Sequence, residues 1–417
     1  MRPDIGERIK QARLLLGLSQ QRLAGSAMSA AFISMIENGR ATPSPAKLQL
    51  IAKRLQKPVE YFTADFSDVE ETAYLLLEGA RQDQRNGDLP KAQRRLLQAL
   101  RVAEQTQNIG LQARIHLDIA SGLSGMGQFE EAMERCETAI DLIQLSGKEN
   151  LSDLIEALFQ LGSTQFLAED FAGAKRTYTR VLRMTAGLKT RADVAMRAQC
   201  YLASCLGRLG DIEGSAEVSR ELIQSCDPGA HPSIWVEAAL GLSAALYRKG
   251  KLEEALGWAR KAVTVCQNTG SSALVLAEHN VAVIEARRGN WETAYVMMRR
   301  CLAVYRDTGR HQNTASILEE MANYWRHKKD LNKAEATCRE GLAELDKQDS
   351  TVQRGRLYRI LGEIYLARNN LIRARELFEI SREFFRKTRT REELEQVERI
   401  SDQIQQKIEA QAIGGER

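Results

Sequence analysis

Large, small and polar side chains recur along most of this chain with a period of about 40 residues. Eight segments share the pattern, and each is numbered from a position zero that we call its anchor: Gly87, Gly127, Glu169, Gly210, Gly250, Gly289, Lys329 and Asn369. Position +2 is always large and apolar, position +5 is alanine in seven segments and Ser215 in the other, and position −7 is always Ala, Ser or Gly. Small residues on both sides of a tight turn let two helices approach closely. The pattern therefore predicts eight helical hairpins, which stack because no hairpin can bury its apolar face alone.

This pattern resembles the tetratricopeptide repeat (TPR), whose alanine and small-residue positions coincide with +5 and −7. The resemblance covers residues 73–388 and departs from the family in its period, since the usual TPR has roughly 34 residues. The longer period implies longer helices or longer connections. The resemblance implies an all-α fold in which the hairpins form a right-handed superhelix, with a concave groove lined mainly by the first helix of each hairpin.

The first 65 residues have a different pattern, in which about five short amphipathic helices are separated by turns. Ser19 and Ser29 are predicted N-caps of the second and third helices, and Gly39 follows the third, where a glycine is favoured. Short identities occur in a fixed order along this head: Leu18-Ser19-Gln20, Leu23-Ala24, Ser29, Phe32-Ile33-Ser34, Ile36-Glu37-Asn38-Gly39-Arg40, Pro43-Ser44 and Leu48 to Ala52. In this order and spacing they resemble the XRE, or lambda-repressor-like, helix-turn-helix family.

The XRE resemblance implies that the helix from Ser29 to Asn38 enters the major groove of double-stranded DNA while the preceding helix crosses the backbone. Phe32 and Met35 are interpreted as packing residues, and Glu37 as structural, because a carboxylate facing phosphate would be repelled. The turn at residues 25–28 is shorter than in many members of the family. The candidate DNA-binding residues are Gln20, Gln21, Ser29, Ala30, Ala31, Ser34, Asn38, Arg40 and Lys47.

The distribution of charge agrees with a DNA-binding head. Residues 1–62 contain ten Lys and Arg and four Asp and Glu, a net charge of +6. The remaining 355 residues carry 49 basic and 51 acidic side chains, a net charge of −2. A basic head on a nearly neutral body indicates that a polyanion is bound by the head.

These patterns predict four segments. Residues 1–65 form the DNA-binding domain, residues 66–72 a linker, residues 73–388 the eight repeats, and residues 389–417 a capping helix with a mobile tail. The capping helix is predicted because apolar residues recur there at helical spacing. These residues are Leu394, Val397, Ile400, Ile404 and Ile408.

The combination of such a head with a long TPR array resembles the peptide-sensing quorum regulators of Gram-positive bacteria. The resemblance implies a homodimer on a pseudo-palindromic operator, in which a signalling peptide or other ligand in the TPR groove changes the spacing or DNA affinity of the paired heads. The repeat phase predicts groove-facing residues at positions −13, −10, −6 and −3. The candidates for ligand binding are Arg197, Ser204, Glu237, Tyr247, His279, Glu319, Asn323, Arg326, Arg359 and Glu363.

Two other functions stay open from the residues alone. The protein could be an adaptor whose array binds a protein partner while the head is secondary, or a hydrolase-like effector acting on a phosphoprotein. Catalysis, a cofactor and a metal are not expected, because the five histidines are scattered and the seven cysteines lack CxxC spacing. A cytoplasmic protein without a membrane segment is expected, since no apolar run approaches the ~18 residues of a transmembrane helix.

Overall fold

The computed structural model describes residues 5–55, 57, 59–63, 68–106, 108–146, 151–188, 191–345, 351–388 and 390–414. Within these ranges the regular structure is entirely α-helical apart from one residue of 3₁₀ helix, which confirms the predicted fold class. The chain divides into two compact units, residues 1–75 and residues 76–417.

The head contains five short helices among its described residues. They are α1 (Ile5–Leu15), α2 (Gln20–Ala24), α3 (Ala30–Glu37), α4 (Pro45–Arg54) and α5 (Glu60–Thr63). Buried apolar residues from successive helices form the core, and they include Ile9, Leu23, Ile33, Ile36 and Ile51.

The helix caps of the head form as predicted. The Ser19 hydroxyl accepts a hydrogen bond from the backbone N–H of Arg22, and the Ser29 hydroxyl accepts one from Phe32. Each bond satisfies a donor that would otherwise lack a partner at the start of α2 or α3. Gly39 follows α3 with a φ of +68°, in the left-handed region.

The described residues after the head form eight hairpins and a final helix, and the first of these helices begins before residue 76, where the second unit starts. The first helices of the hairpins are α6 (Asp68–Arg85), α8 (Ile109–Gly125), α10 (Leu151–Leu167), α12 (Ala192–Arg208), α14 (Pro232–Arg248), α16 (Leu274–Arg287), α18 (His311–His327) and α20 (Thr351–Ala367). The second helices are α7 (Leu89–Ala103), α9 (Phe129–Leu145), α11 (Phe171–Thr185), α13 (Ile212–Ser225), α15 (Leu252–Thr269), α17 (Trp291–Asp307), α19 (Leu331–Leu345) and α21 (Leu371–Lys387). The final helix is α22 (Arg391–Gly414).

Every anchor has a left-handed backbone conformation that reverses the chain between the two helices of its hairpin. The φ angles range from +58° to +92°. Five anchors are glycine, which adopts this conformation without steric cost, whereas Glu169, Lys329 and Asn369 adopt it with a side chain. The anchor is therefore a backbone position, and this explains why glycine predominates there.

The small residues at −7 and +5 are buried in all eight hairpins. Position −7 also faces position +9 of the second helix, and the sizes of the two residues are matched. Gly162 and Gly362 lie against the rings of Tyr178 and Phe378, with 3.0 Å and 2.9 Å between an ideal Cβ and the nearest ring atom. The other hairpins have Ala or Ser at −7 and a smaller or more flexible residue at +9. Close packing of each hairpin is thus reached by different pairs of side chains.

The two ends of the array differ from the predicted segments in one respect. Helix α6 begins at Asp68, so residues 68–72, which the sequence analysis assigned to a linker, are helical. At the other end, Val397 and Ile404 of α22 are buried against the last hairpin, with Leu394 and Ile400 partly buried beside them. The Ile408 side chain and the end of the predicted tail lie outside the described residues.

Candidate DNA-contact face and ligand groove

Helix α3 presents one exposed face in the head. Ala31, Met35 and Asn38 are exposed there, and Ala30 and Ser34 are partly exposed. Met35 has 46% of its surface accessible, so it does not belong to the core of the head. Met35 follows Ala31 by four residues and therefore lies on the same face of the helix. This spacing was the sequence signal for its exposure.

Polar side chains on this face are held by local hydrogen bonds. The Asn38 amide donates to the Ser34 carbonyl oxygen at 2.8 Å, and the Ser29 hydroxyl caps the helix. The Lys47 ammonium lies 4.2 Å from the centre of the Phe32 ring. Gln21, Arg40 and Lys47 are exposed around the face. The exposed face of α3 is therefore small and weakly apolar, with basic residues at its edge.

Glu37 anchors α3 to the rest of the head. Its carboxylate accepts hydrogen bonds from Arg13 Nε at 2.5 Å and Nη2 at 2.9 Å, and from Gln20 Nε2 at 2.7 Å. Burial opposes its ionisation, but the hydrogen bonds from Arg13 and Gln20 outweigh burial and lower the pKa of Glu37. Glu37 is structural as predicted, and the Gln20 amide group, predicted to contact DNA, is already bonded to it.

The second candidate site is a groove of about 1320 Å³ in the array. It is lined by the first helices α12, α14, α16, α18 and α20, by the starts of several second helices, and by the first turn of α22. Eight of the ten predicted ligand residues line it: Ser204, Tyr247, His279, Glu319, Asn323, Arg326, Arg359 and Glu363.

The other two predicted residues, Arg197 and Glu237, are exposed but do not line the groove. The Arg197 guanidinium lies 4.5 Å from the centre of the Phe159 ring. Although the residue is exposed, the protein around its carboxyl group removes water from it and raises the pKa of Glu237, which a hydrogen bond with Cys200 opposes. Both residues are at position −13, whose counterparts Leu276, Ser316 and Arg356 do line the groove, so only some repeats contribute this position to it.

Two of the predicted residues lie in the wall of the groove and are buried. The His279 ring Nδ1 is 3.3 Å from the Tyr305 hydroxyl, and burial lowers the pKa of His279 to about 4. Glu319 accepts a hydrogen bond from the Gln353 amide. These contacts support the wall and leave little of either side chain for a ligand.

Ion pairs neutralise the C-terminal part of the groove. Arg326 and Arg359 both pair with Glu363, at 2.6 Å and 3.1 Å, and Arg356 pairs with Glu393 of α22 at 2.7 Å. Burial, followed by the neighbouring Glu319 carboxylate, raises the pKa of Glu320 to about 7. This part of the groove therefore carries balanced charges that are already engaged with one another.

A family model described as MalT-like TPR region matches residues 120–409. The chain belongs to this family. A second model, described as Helix-turn-helix, matches residues 9–62. The predicted combination of an XRE-type helix-turn-helix head and a TPR array is confirmed. Neither is a family of enzymes. A search of the curated proteins finds no match.

Solved structures with a similar fold include the apo form of RapI, with 11% sequence identity, a TM-score of 0.60 and coverage of 93% of this chain and 99% of that chain. Aspartyl phosphate phosphatase F from Bacillus subtilis has 12% identity, a TM-score of 0.60 and coverage of 82% and 94%. The Rap conjugation gene regulator of the plasmid pLS20, in complex with the Phr* peptide, has 13% identity, a TM-score of 0.54 and coverage of 95% and 96%. At these identities the similarity is one of fold.

The MalT-like TPR region also brings together residues that the repeat phase did not predict. Position −2 is Arg208, Arg248, Arg287 and His327 in four consecutive repeats, and all four residues line the groove. The His327 ring stacks on Trp291 with 4.7 Å between ring centres. The recurrence of cationic or imidazole side chains at one repeat position was the sequence signal for this row.

The cysteines do not form a reactive site. All seven are buried, and burial raises the pKa of Cys136, Cys205 and Cys301 to about 12. A thiol needs a low pKa and access to solvent to be reactive. In the described ranges, groups of three or more His, Cys, Asp or Glu residues with metal-binding geometry are not found. Helices long and apolar enough to cross a bilayer are likewise missing from the described part of the chain.

Proposed function

We propose that this protein is a sequence-specific, DNA-binding transcriptional regulator whose array binds an oligopeptide. One observation carries the proposal: an XRE-type head with an exposed α3 face occurs in the same chain as an array with an open, polar groove of about 1320 Å³. The head binds an operator in double-stranded DNA through α3, with Arg40 and Lys47 contacting phosphates. The Phr* peptide bound to the pLS20 regulator supports a peptide as the ligand class.

The regulator acts as a homodimer on a pseudo-palindromic operator, because a single head with one recognition helix contacts only one half-site. Ligand in the groove changes the DNA affinity or the spacing of the paired heads. A ligand can do this only if it binds one arrangement of the dimer more tightly than the other. Analytical ultracentrifugation of the full chain tests the dimer.

Selection from a random duplex pool tests DNA binding. We expect the purified full chain to enrich one sequence motif, with an affinity that falls steeply as salt rises. Arg40→Ala is expected to weaken binding to all sequences and to reduce the slope of log affinity against log salt by about 1. Arg300→Ala, which removes an exposed arginine from α17, is the matched control. If no motif is enriched, DNA recognition is excluded and an adaptor function is favoured.

Mass spectrometry of material released from the protein purified from its own host tests the ligand class. We expect an oligopeptide whose addition to ligand-free protein changes the affinity for the selected DNA motif. A co-purified protein that remains bound after deletion of residues 1–65 would instead support the adaptor function.

A further inference from the structure

The outward face of α3 in the head carries no charged side chain. Glu37 is the one charged residue of the helix, and it is buried and bonded to Arg13 and Gln20. The side chains that are at least partly exposed on the outward face belong to Ala30, Ala31, Ser34, Met35 and, at the C-cap, Asn38. The helix that an XRE-type head directs at the major groove therefore presents a largely apolar surface.

Hydrogen-bond readout of bases by this helix is limited. Guanine is read mainly by Arg or Lys, and adenine by the paired donor and acceptor of an Asn or Gln amide. None of these residue types occurs between Ala30 and Glu37. The nearest amide, that of Asn38, already donates a hydrogen bond to the Ser34 carbonyl oxygen at 2.8 Å. The Ser34 hydroxyl is left as the hydrogen-bonding group of the helix face, and a hydroxyl discriminates poorly between bases.

Ala31 and Met35 form the apolar centre of the face. They are four residues apart, so they lie on the same side of α3, and both are exposed. A methionine side chain is unbranched and polarisable, and it adapts to irregular apolar surfaces. Among the four bases, thymine alone presents a methyl group in the major groove. The chemistry of the face and that of thymine are therefore complementary.

Basic side chains around the face supply attraction to the phosphates. Arg22, Arg40 and Lys47 are exposed, and the Lys47 ammonium lies 4.2 Å from the centre of the Phe32 ring of α3. Contacts with phosphates fix the position of a protein on DNA but do not distinguish one sequence from another. Affinity can thus come from the edge of the face while its apolar centre selects the base.

We propose that Ala31 and Met35 select thymine by contact with its C5 methyl group. The proposal rests on the DNA-binding function proposed above and names the base that the head selects. A helix rises about 1.5 Å per residue, so the two side chains are about 6 Å apart along α3. Successive base pairs are about 3.4 Å apart. The selected thymines are therefore expected in base pairs about one or two steps apart.

The test uses the DNA duplex whose motif the full chain enriches from the random pool. Each thymine of the motif is replaced in turn by uracil, which forms the same base pair but lacks the methyl group. We expect the affinity to fall by about threefold to fivefold at the thymines that contact Ala31 and Met35, which is the effect of burying about one methyl group. Uracil at the other positions should leave the affinity unchanged.

Two variants assign the contacts to residues. Met35→Gln replaces the apolar side chain by a polar one of similar length, and Ala31→Ser places a hydroxyl at the second position. Each is expected to abolish the preference for thymine over uracil at one position of the motif. The ratio of the two affinities is the readout, because a general loss of stability or of phosphate contacts affects both duplexes equally. Met126→Gln, which changes an exposed methionine of the array, is the matched control and should keep the wild-type ratio.

The possible outcomes separate this assignment from DNA binding itself. If the enriched motif contains no thymine, or if wild type binds the thymine and uracil duplexes equally, selection of the methyl group is overturned while DNA recognition stands. If Met35→Gln keeps the wild-type ratio at every position, the assignment to Met35 is overturned. If wild type enriches no motif, DNA recognition is overturned, and the assignment with it.

Discussion

A buried ion pair between Arg13 and Glu37 fixes α3 in the head. Arg13 donates to both carboxylate oxygens of Glu37 and also to the Leu18 carbonyl oxygen at 2.8 Å. The pair thereby links α1, the turn before α2, and the end of α3. The surface of α3 that faces outward is consequently set by residues that cannot themselves contact DNA.

Replacement of Arg13 by Gln is expected to destabilise the head. The Glu37 carboxylate would remain buried with only the Gln20 amide as a partner, at a cost of about 3 kcal/mol. Hydrogen exchange of the α3 amides, followed by mass spectrometry in the full chain, measures the effect. Arg22→Gln, which removes an exposed arginine from α2, is the control and should leave the exchange unchanged. Equal protection in both variants would show that the ion pair contributes nothing to stability.

The left-handed backbone conformation of the anchors affects the stability of the array. Lys329 has a φ of +61°, a conformation that costs a residue with a side chain about 1 kcal/mol relative to glycine. Lys329→Gly should therefore raise the thermal midpoint of the array. Gly250→Ala should lower it, since Gly250 has a φ of +76° with open space around an added Cβ, so only backbone strain is introduced. Shifts of the same sign in both variants would contradict the role given to the anchor conformation.

Within a hairpin, the residue at position −7 of the first helix and the residue at position +9 of the second helix are matched in size. Gly362 and Phe378 are one such pair, and Gly162 and Tyr178 are another. A methyl group added at Gly362 would lie 2.9 Å from the Phe378 ring, closer than packed carbon atoms allow. A large residue on one helix is therefore possible only because the other helix has no side chain there.

Gly362→Ala is expected to destabilise the array by about 2 kcal/mol, because the ring or the helix must move. The double variant Gly362→Ala/Phe378→Leu should lose less than the sum of the two single variants, by about 1 kcal/mol. Urea unfolding of the four proteins measures this coupling. Additive losses would show that the two positions do not compete for the same space. Gly257→Ala, where an added Cβ meets no atom within 4 Å, controls for the general cost of replacing a glycine in a helix.

The hairpins could be predicted from sequence because their determinants are local and repeated eight times. The anchor, the +2 residue and the small positions all fall within a segment of 13 residues. The groove could be predicted only in part. Position −13 lines it at Arg356 but not at Arg197, because the set of repeats that line the groove depends on packing between repeats that no single repeat encodes. The exposure of Met35 also depends on the packing of the whole head.

For the molecule as a whole, net charge says little about individual sites. The repeats and tail together carry −2, and arginine and glutamate side chains both line the groove, where Glu393 lies near Arg208 and Arg248. The charge at one point of the groove therefore depends on which side chains lie near one another there, and domain totals do not give it.

The pH dependence of stability is a property of the whole molecule. Burial lowers the pKa of His116 and His279 to about 4, whereas histidine in an unfolded chain titrates near 6.5. Between these values the unfolded chain binds more protons than the folded chain, so the free energy of unfolding falls as the pH falls from about 6.5 to about 4. The loss is up to about 3 kcal/mol per histidine. Glu320, whose pKa is raised to about 7, acts in the opposite direction, since its stabilising contribution is lost as the pH rises towards 7.

His279→Gln isolates one of these contributions. Urea unfolding at pH 5 and at pH 7 should show a smaller difference in stability for this variant than for the wild type. His311→Gln is the comparison, since His311 is only partly buried and its ring Nδ1 is 2.8 Å from a Glu344 carboxylate oxygen. An unchanged difference in His279→Gln would mean that the pKa of His279 is the same in the folded and unfolded protein.

The left-handed anchor has a further consequence for how such a chain can change during evolution. Because every hairpin reverses at the same kind of residue, the segments between successive anchors are interchangeable units, and one can be duplicated or lost without disturbing the turn geometry of the others. The arginines that line the groove sit only two residues before three of those turns. Gain or loss of one such segment would therefore change the length of the groove by one hairpin while the fold is kept.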